Sequence, residues 1–248
     1  MIFEKVTIVI SATDENKSLI QTVETTISNC NYKDIDSFLI VIPESADEEC
    51  IKAIEYLQIK YGNKIHKHIQ KHPHIGGAMR DSIDETTSSH IMFLSADMPV
   101  GLECVPVMIS KAKENPDEII KISRWLEKDS FHNYNKIRKS FNWLAQIFLR
   151  VLYSSSLTDF TIPVLISPTE IYKKVNFKEW NFPCLLEAVL LPLRMKFTIK
   201  EIPAKCYSRS EGKSKNSMLQ TLLYLKVALR VRFMKKEAIL TDEKNRNL

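Results

Sequence analysis

Ile75–Met98 reads IGGAMRDSIDETTSSHIMFLSADM. Gly76 and Gly77 open a stretch of helical character that runs to Thr86. A polar interval follows, and then His90–Leu94, a short apolar run of the kind that forms a buried strand. That run passes directly into Ser95-Ala96-Asp97. A helix followed by an apolar strand that ends in an acid is one repeat of a sheet built from parallel strands and crossover helices.

The same alternation continues toward the N-terminus. Val6–Ser11 is β-branched and apolar, Asn16–Ser28 is helical, and Phe38–Ile42 is a second strand closed by Pro43. Asp47–Tyr61 carries helical apolar spacing at Ile51, Ile54, Tyr56 and Leu57, and Lys64–Gln70 supplies a third strand. The pattern predicts an α/β fold with a mostly parallel central sheet flanked by helices. Ligands of such sheets bind outside the carboxyl ends of the strands. Three acidic turns fall there: Thr13-Asp14-Glu15, Glu44-Ser45-Ala46-Asp47 and Ser95-Ala96-Asp97. Together they suit a nucleotide with a cation; singly, each acid serves equally well as a helix cap.

Composition sets the outer limits. A chain of 248 residues, 44% apolar and 26% charged, is an ordinary globular composition and excludes wholesale disorder. No stretch approaches eighteen uncharged apolar residues, so no membrane span is expected, and the N-terminus lacks the marks of a signal peptide. The five cysteines are dispersed and form no C-x-x-C pair, which fits reduced thiols in a cytoplasmic setting. The net charge of +5 is uneven. Lys205–Lys236 holds nine basic residues and one acid, leaving the remainder at −3. That basic stretch lacks interleaved aromatic platforms, so a nucleic-acid partner is not expected. Its end, Met218–Met234, spaces Met218, Leu222, Leu225, Leu229 and Phe233 as an amphipathic helix. Such a helix either lies on a membrane surface or packs on the core with its basic face in water. The expected division is a main domain over 1–216 and an appended basic helix and tail over 217–248.

Several segments in order resemble the family 2 glycosyltransferases of GT-A fold, especially their dolichol-phosphate mannosyltransferase-like branch. VTIVISATDEN is similar to that family's opening strand and loop, and the Ile75–Met98 stretch to its glycine-rich helix, arginine and D-x-D strand. ISRW and LTDF are similar to two later segments. LLEAVLLPLRMKFTIKEIPAKCYSRSEGKSKN resembles the closing helix, E-I-P strand and R-x-x-G-x-S-K loop. The departures are local: Ser95 stands where the first D-x-D acid would be, and Pro163, Val164 and Leu165 replace a G-F-R.

The resemblance implies an inverting transfer of a sugar from a nucleotide-diphospho-sugar to a polyprenyl phosphate or lipid-linked glycan at the inner membrane face. It implies Mg²⁺ or Mn²⁺ on Asp97, both hard cations suited to carboxylate and phosphate oxygens. Ala12, Thr13, Glu15, Gly76, Gly77, Arg80 and Ser95 would contact the donor. Arg124, Arg138, Arg209, Ser214 and Lys215 would contact phosphate, arginine forks being matched to it. Asp159 and Glu187 are candidates for a general base, which a sugar hydroxyl needs and a phosphate does not.

Alternatives stay open at this point. Gly76 and Gly77 make either an anion-binding helix start or a tight turn, and Glu15 contacts ribose or caps a helix. Glu187 is either a base or half of a structural ion pair. A solvated basic loop is the other reading of Arg209–Lys215. A GT-A-like module that binds a nucleotide or protein without turnover is the alternative for the whole. His66, His68, His72 and His74 lack a recognised metal-site spacing and are expected to line a strand and its loop.

Overall fold

The computed structural model describes residues 1–97, 101–128, 130–131, 136–205 and 218–240, with the side chains of Arg138 and of 218–222 outside that description. Its strands are β1 (Val6–Ser11), β2 (Ile35–Ile42), β3 (Ile65–Ile69), β4 (His90–Ser95), β5 (Ile119–Ser123), β6 (Leu165–Pro168) and β7 (Ile199–Pro203). Its helices are α1 (Lys17–Asn29), α2 (Glu48–Tyr61), α3 (His74–Glu85), α4 (Cys104–Glu114), α5 (Lys136–Tyr153), α6 (Thr169–Lys173), α7 (Cys184–Arg194) and α8 (Met218–Phe233).

The strands form one sheet in the order β3-β2-β1-β4-β6-β5-β7. β6 alone is reversed, pairing antiparallel with β4 on one side and β5 on the other. The other pairings are parallel. Six strands therefore present their carboxyl ends along one edge, where Ser11 stands level with Val41 and with Ser95.

Side chains alternate between two cores, as a pleated strand requires. Ile8, Ile10, Phe38, Ile40 and Met92 enter the layer covered by α1, α2 and α4. Val9, Leu39, Val41 and Ile91 enter the opposite layer with α3, α6, α7 and α8. Burial on both faces is why these strands read as unbroken apolar runs.

Some boundaries differ from the sequence expectation. β2 begins at Ile35, ahead of Phe38, because Ile35 is wholly buried and pairs with Val6 across a register shift; the intervening Asp36 and Ser37 hide it in the sequence. α3 begins at His74, which places both glycines inside its first turn. α8 buries Val227, Ala228 and Val231 and leaves Leu225, Leu229 and Phe233 exposed. The described part of the stripe picked out by spacing is thus outward, and a second apolar set packs inward. Among the described residues no helix is long and apolar enough to cross a membrane.

Candidate active site

At the carboxyl ends of β1 and β2 the two following loops are tied together. Ala12 N–H donates to the Val41 carbonyl at 3.0 Å, and Asp47 N–H to the Thr13 carbonyl at 2.8 Å. Glu15 turns back on its own loop, its Oε2 accepting the amides of Thr13 (2.8 Å) and Asp14 (3.3 Å). It closes this turn and does not cap α1, whose preceding residue Asn16 makes no capping bond through its side chain.

The end of β4 completes this corner. Ser95 donates its hydroxyl to Oδ1 of Asp97. Asp97 is buried, and the neighbouring Ala96 carbonyl accepts from Thr22 of α1 at 3.4 Å. The chain leaving β7 arrives beside it: Ala204 N–H donates to the Ser123 carbonyl, and Gly101 N–H to the Lys205 carbonyl, each at 3.2 Å. Lys205 therefore lies beside Gly101. Arg209, Ser214 and Lys215 lie outside the described residues, as does the side chain of Arg138.

A buried ionic group sits at the end of β5. Arg124 donates from Nε to Oδ2 of Asp159 at 2.7 Å and from Nη2 to Oδ1 at 2.9 Å. Thr161 N–H adds a bond to Oδ1 at 3.2 Å. Burial works to raise the Asp159 pKa, but the charge and hydrogen bonds of Arg124, with Lys121 behind it, hold the carboxyl far below the ordinary range. Lys121 is wholly buried, donates to the carbonyls of Ile122 and Asp159, and lies 3.7 Å from Glu201. Desolvation lowers its pKa, with Asp159 and Glu201 opposing. Glu201 in turn accepts the amides of Thr158 (2.6 Å) and Asp159 (2.9 Å).

Glu187 opens α7 and is wholly buried. Its Oε2 accepts the amides of Lys178 and Glu179, both at 2.9 Å, and its Oε1 accepts from Arg230 of α8. Arg230 also holds Glu179 at 2.6 Å. Burial raises the Glu187 pKa against the pull of those amides and of Arg230.

The 178–180 segment so fixed packs on α3. Trp180 accepts the Gly76 amide at 2.7 Å, and Arg80 stacks 3.7 Å over the Trp180 ring. A Cβ on Gly76 would stand 2.3 Å from the Glu179 carbonyl oxygen, so only glycine admits this approach. Gly77 N–H donates to the Pro73 carbonyl at 3.1 Å. Both glycine amides are engaged by protein and offer no bare amide to an anion, and both glycines lie inside the first turn of α3 and not in a tight turn of a loop.

Among the described residues no three His, Cys, Asp or Glu side chains gather as a metal cage. Asp97 supplies a single carboxylate at a strand end, and Mg²⁺ characteristically combines one or two carboxylates with substrate phosphates. The donor set is therefore compatible with a cation shared between Asp97 and a diphosphate.

Sequence reasoning gave no site role to Lys121, Glu201, Glu179 or Arg230. Lys121 left a trace as the one charge inside the apolar strand IIKIS. Arg230 left none, because its partners lie far away in the chain.

Comparison with known proteins adds a family and a fold. The glycosyl transferase family 2 model matches residues 7–179. Glucosyl-3-phosphoglycerate synthase from Mycobacterium tuberculosis, solved with Mn²⁺, uridine diphosphate and phosphoglyceric acid, superposes with a TM-score of 0.69 at 13% identity over 94% of this chain and 80% of that one. Its complex with uridine diphosphate gives 0.70 at 12% identity over 94% and 81%. The complex with Mg²⁺ and uridine diphosphate gives 0.67 at 14% identity over 92% and 79%.

Proposed function

The chain belongs to glycosyl transferase family 2 and is a glycosyltransferase acting on a nucleotide-sugar, and from that premise we propose an inverting transfer to an acceptor that carries its own phosphate. Breaking the anomeric C–O bond leaves negative charge on the departing diphosphate, so the site must offer cationic groups where that charge grows. The diphosphate is assigned to the corner made by Thr13, Ser95 and Asp97. By the family resemblance, Arg209, Ser214 and Lys215 would contact the same diphosphate. Asp97 would hold Mg²⁺ or Mn²⁺, whose chemistry there is to neutralise the leaving diphosphate. The solved relative binds such ions together with uridine diphosphate, which supports this use of the fold.

The acceptor class rests on one observation. A hydroxyl acceptor needs a base within reach, and both candidate carboxylates are fully engaged. Asp159 has both oxygens on Arg124 and is held ionised; Glu187 has both on two amides and Arg230. Neither is presented to an incoming hydroxyl. A phosphate is already an anion at neutral pH and attacks without proton removal. Polyprenyl phosphate is the preferred member of that class, at the cytoplasmic membrane face with residues 217–236 against the lipid; a lipid-linked glycan, whose hydroxyl needs a base, is the less favoured acceptor. In this account Asp159 positions Arg124, and Glu187 positions the 178–180 segment beneath Arg80.

The test is a panel of uridine-, guanosine- and thymidine-diphosphate sugars, read by nucleoside diphosphate release with Mn²⁺. One donor should turn over, faster when polyprenyl phosphate is added than when a free sugar is added. Calorimetry on the same panel separates the second reading, which Ser95 in place of an acid favours. Donor binding without release under any condition would mark a non-catalytic binding module.

A further inference from the structure

We infer that the outward faces of α5 and α8 together form a docking surface for an anionic lipid bilayer, with α5 as its larger part. On α5, Ile137, Phe141, Leu144, Phe148 and Val151 fall at alternating spacings of four and three, which is one stripe of a helix. All five are exposed, from 41% for Phe148 to 75% for Val151, and Trp143 beside them is 51% exposed. A soluble surface rarely carries so long an unbroken apolar row unless something covers it.

The stripe cannot turn inward, because the opposite face of α5 is already committed. Leu149 is buried, and Gln146 accepts the Phe160 amide at 2.8 Å while donating to Thr161 at 3.2 Å. α8 lies alongside, joined by Tyr153 Oη to the Ala228 carbonyl and by Arg232 Nε to the Leu152 carbonyl, both at 2.7 Å. It adds exposed Leu225, Leu229 and Phe233 to the outward surface.

Charge decides the occupant. Neither Lys136–Tyr153 nor Met218–Phe233 contains an acid. Exposed Lys136, Arg150, Lys226, Lys235 and Lys236 flank the apolar rows. A second copy would set cations against cations, whereas an anionic bilayer meets the basic rim with headgroups and the apolar rows with acyl chains. The exposed tryptophan suits the headgroup boundary. Vesicle binding can be read without turnover, so the inference stands apart from sugar transfer. Where both hold, the surface brings a lipid phosphate to the transferase.

The experiment is co-sedimentation of the full chain with vesicles of phosphatidylcholine alone and of equimolar phosphatidylcholine and phosphatidylglycerol, at low and high salt. Binding to the mixed vesicles is expected, weakened by salt and reduced about tenfold or more in the Phe141→Glu/Val151→Glu double variant. Ile59→Glu, at an exposed position of α2, should bind as the parent does. Donor hydrolysis without vesicles reads the transferase site separately and should be equal in parent and double variant. Failure of the parent to bind mixed vesicles, or equal binding by the double variant, overturns the inference. So does a dimer of the parent in sedimentation velocity that Phe141→Glu/Val151→Glu converts to monomer.

Discussion

Arg124 grips Asp159 through two parallel bonds, Nε to Oδ2 at 2.7 Å and Nη2 to Oδ1 at 2.9 Å, with the carboxylate wholly buried. Removing one partner of such a pair leaves the other charged and uncompensated, at a cost of about 3–5 kcal/mol. Asp159→Asn should therefore lower unfolding free energy by about that amount in urea titrations. The folded pKa lies below the ordinary 3.8, so the contribution is complete above that pH and is lost as pH falls through the folded value. The variant should show a flatter loss of stability over that acidic window.

Ser95 offers a second prediction. Its hydroxyl bonds to Asp97, so Ser95→Asp would set two carboxylates side by side. Without metal they repel; with Mn²⁺ they share it. The melting temperature of the variant should fall below the parent in chelator, and its upward shift on adding Mn²⁺ should exceed the parent's.

Gly76 is the third. Its added Cβ would meet backbone atoms of Glu179 and Trp180, at 2.3 and 2.7 Å, and backbone cannot swing aside. Gly76→Ala should cost about 1–3 kcal/mol by overpacking. Trp180 fluorescence should change with it, since the Arg80 stack rests on the same segment.

Arg230 carries the fourth. Arg230→Met leaves Glu187 buried with only its two amides, at a cost of about 3 kcal/mol, the low end for a broken pair because the guanidinium is 32% exposed. Burial raises Glu187 above 4.5, so its favourable contribution exists below that value and is lost as pH climbs through the folded pKa. That loss with rising pH should be larger in the variant, and absent in Glu187→Gln.

Much of this was legible in the chain. The run from His90 into Asp97 announced a strand aimed at the ligand edge because apolar continuity and a terminal acid are local features. The glycines of α3 were visible as glycines, but not the Glu179–Trp180 backbone that needs them there. The Arg230 bridge to Glu179 and Glu187 joins segments far apart in sequence, and periodicity carries no information about such pairs. For α8 the spacing found a real apolar face but not its direction, because Val227, Ala228 and Val231 compete with it for the core. The reversed β6 is short, and its pairing with both β4 and β5 is set by topology, not composition.

The central claim is that the Asp97 corner binds the donor diphosphate and drives its departure. Nucleoside diphosphate release from the best donor, measured with Mn²⁺ for the parent and for Asp97→Ala, tests it most directly. The account predicts loss of both transfer and donor hydrolysis by about a hundredfold or more, the scale of removing one charge-stabilising group from a transition state. Unchanged release by a folded Asp97→Ala chain would contradict it.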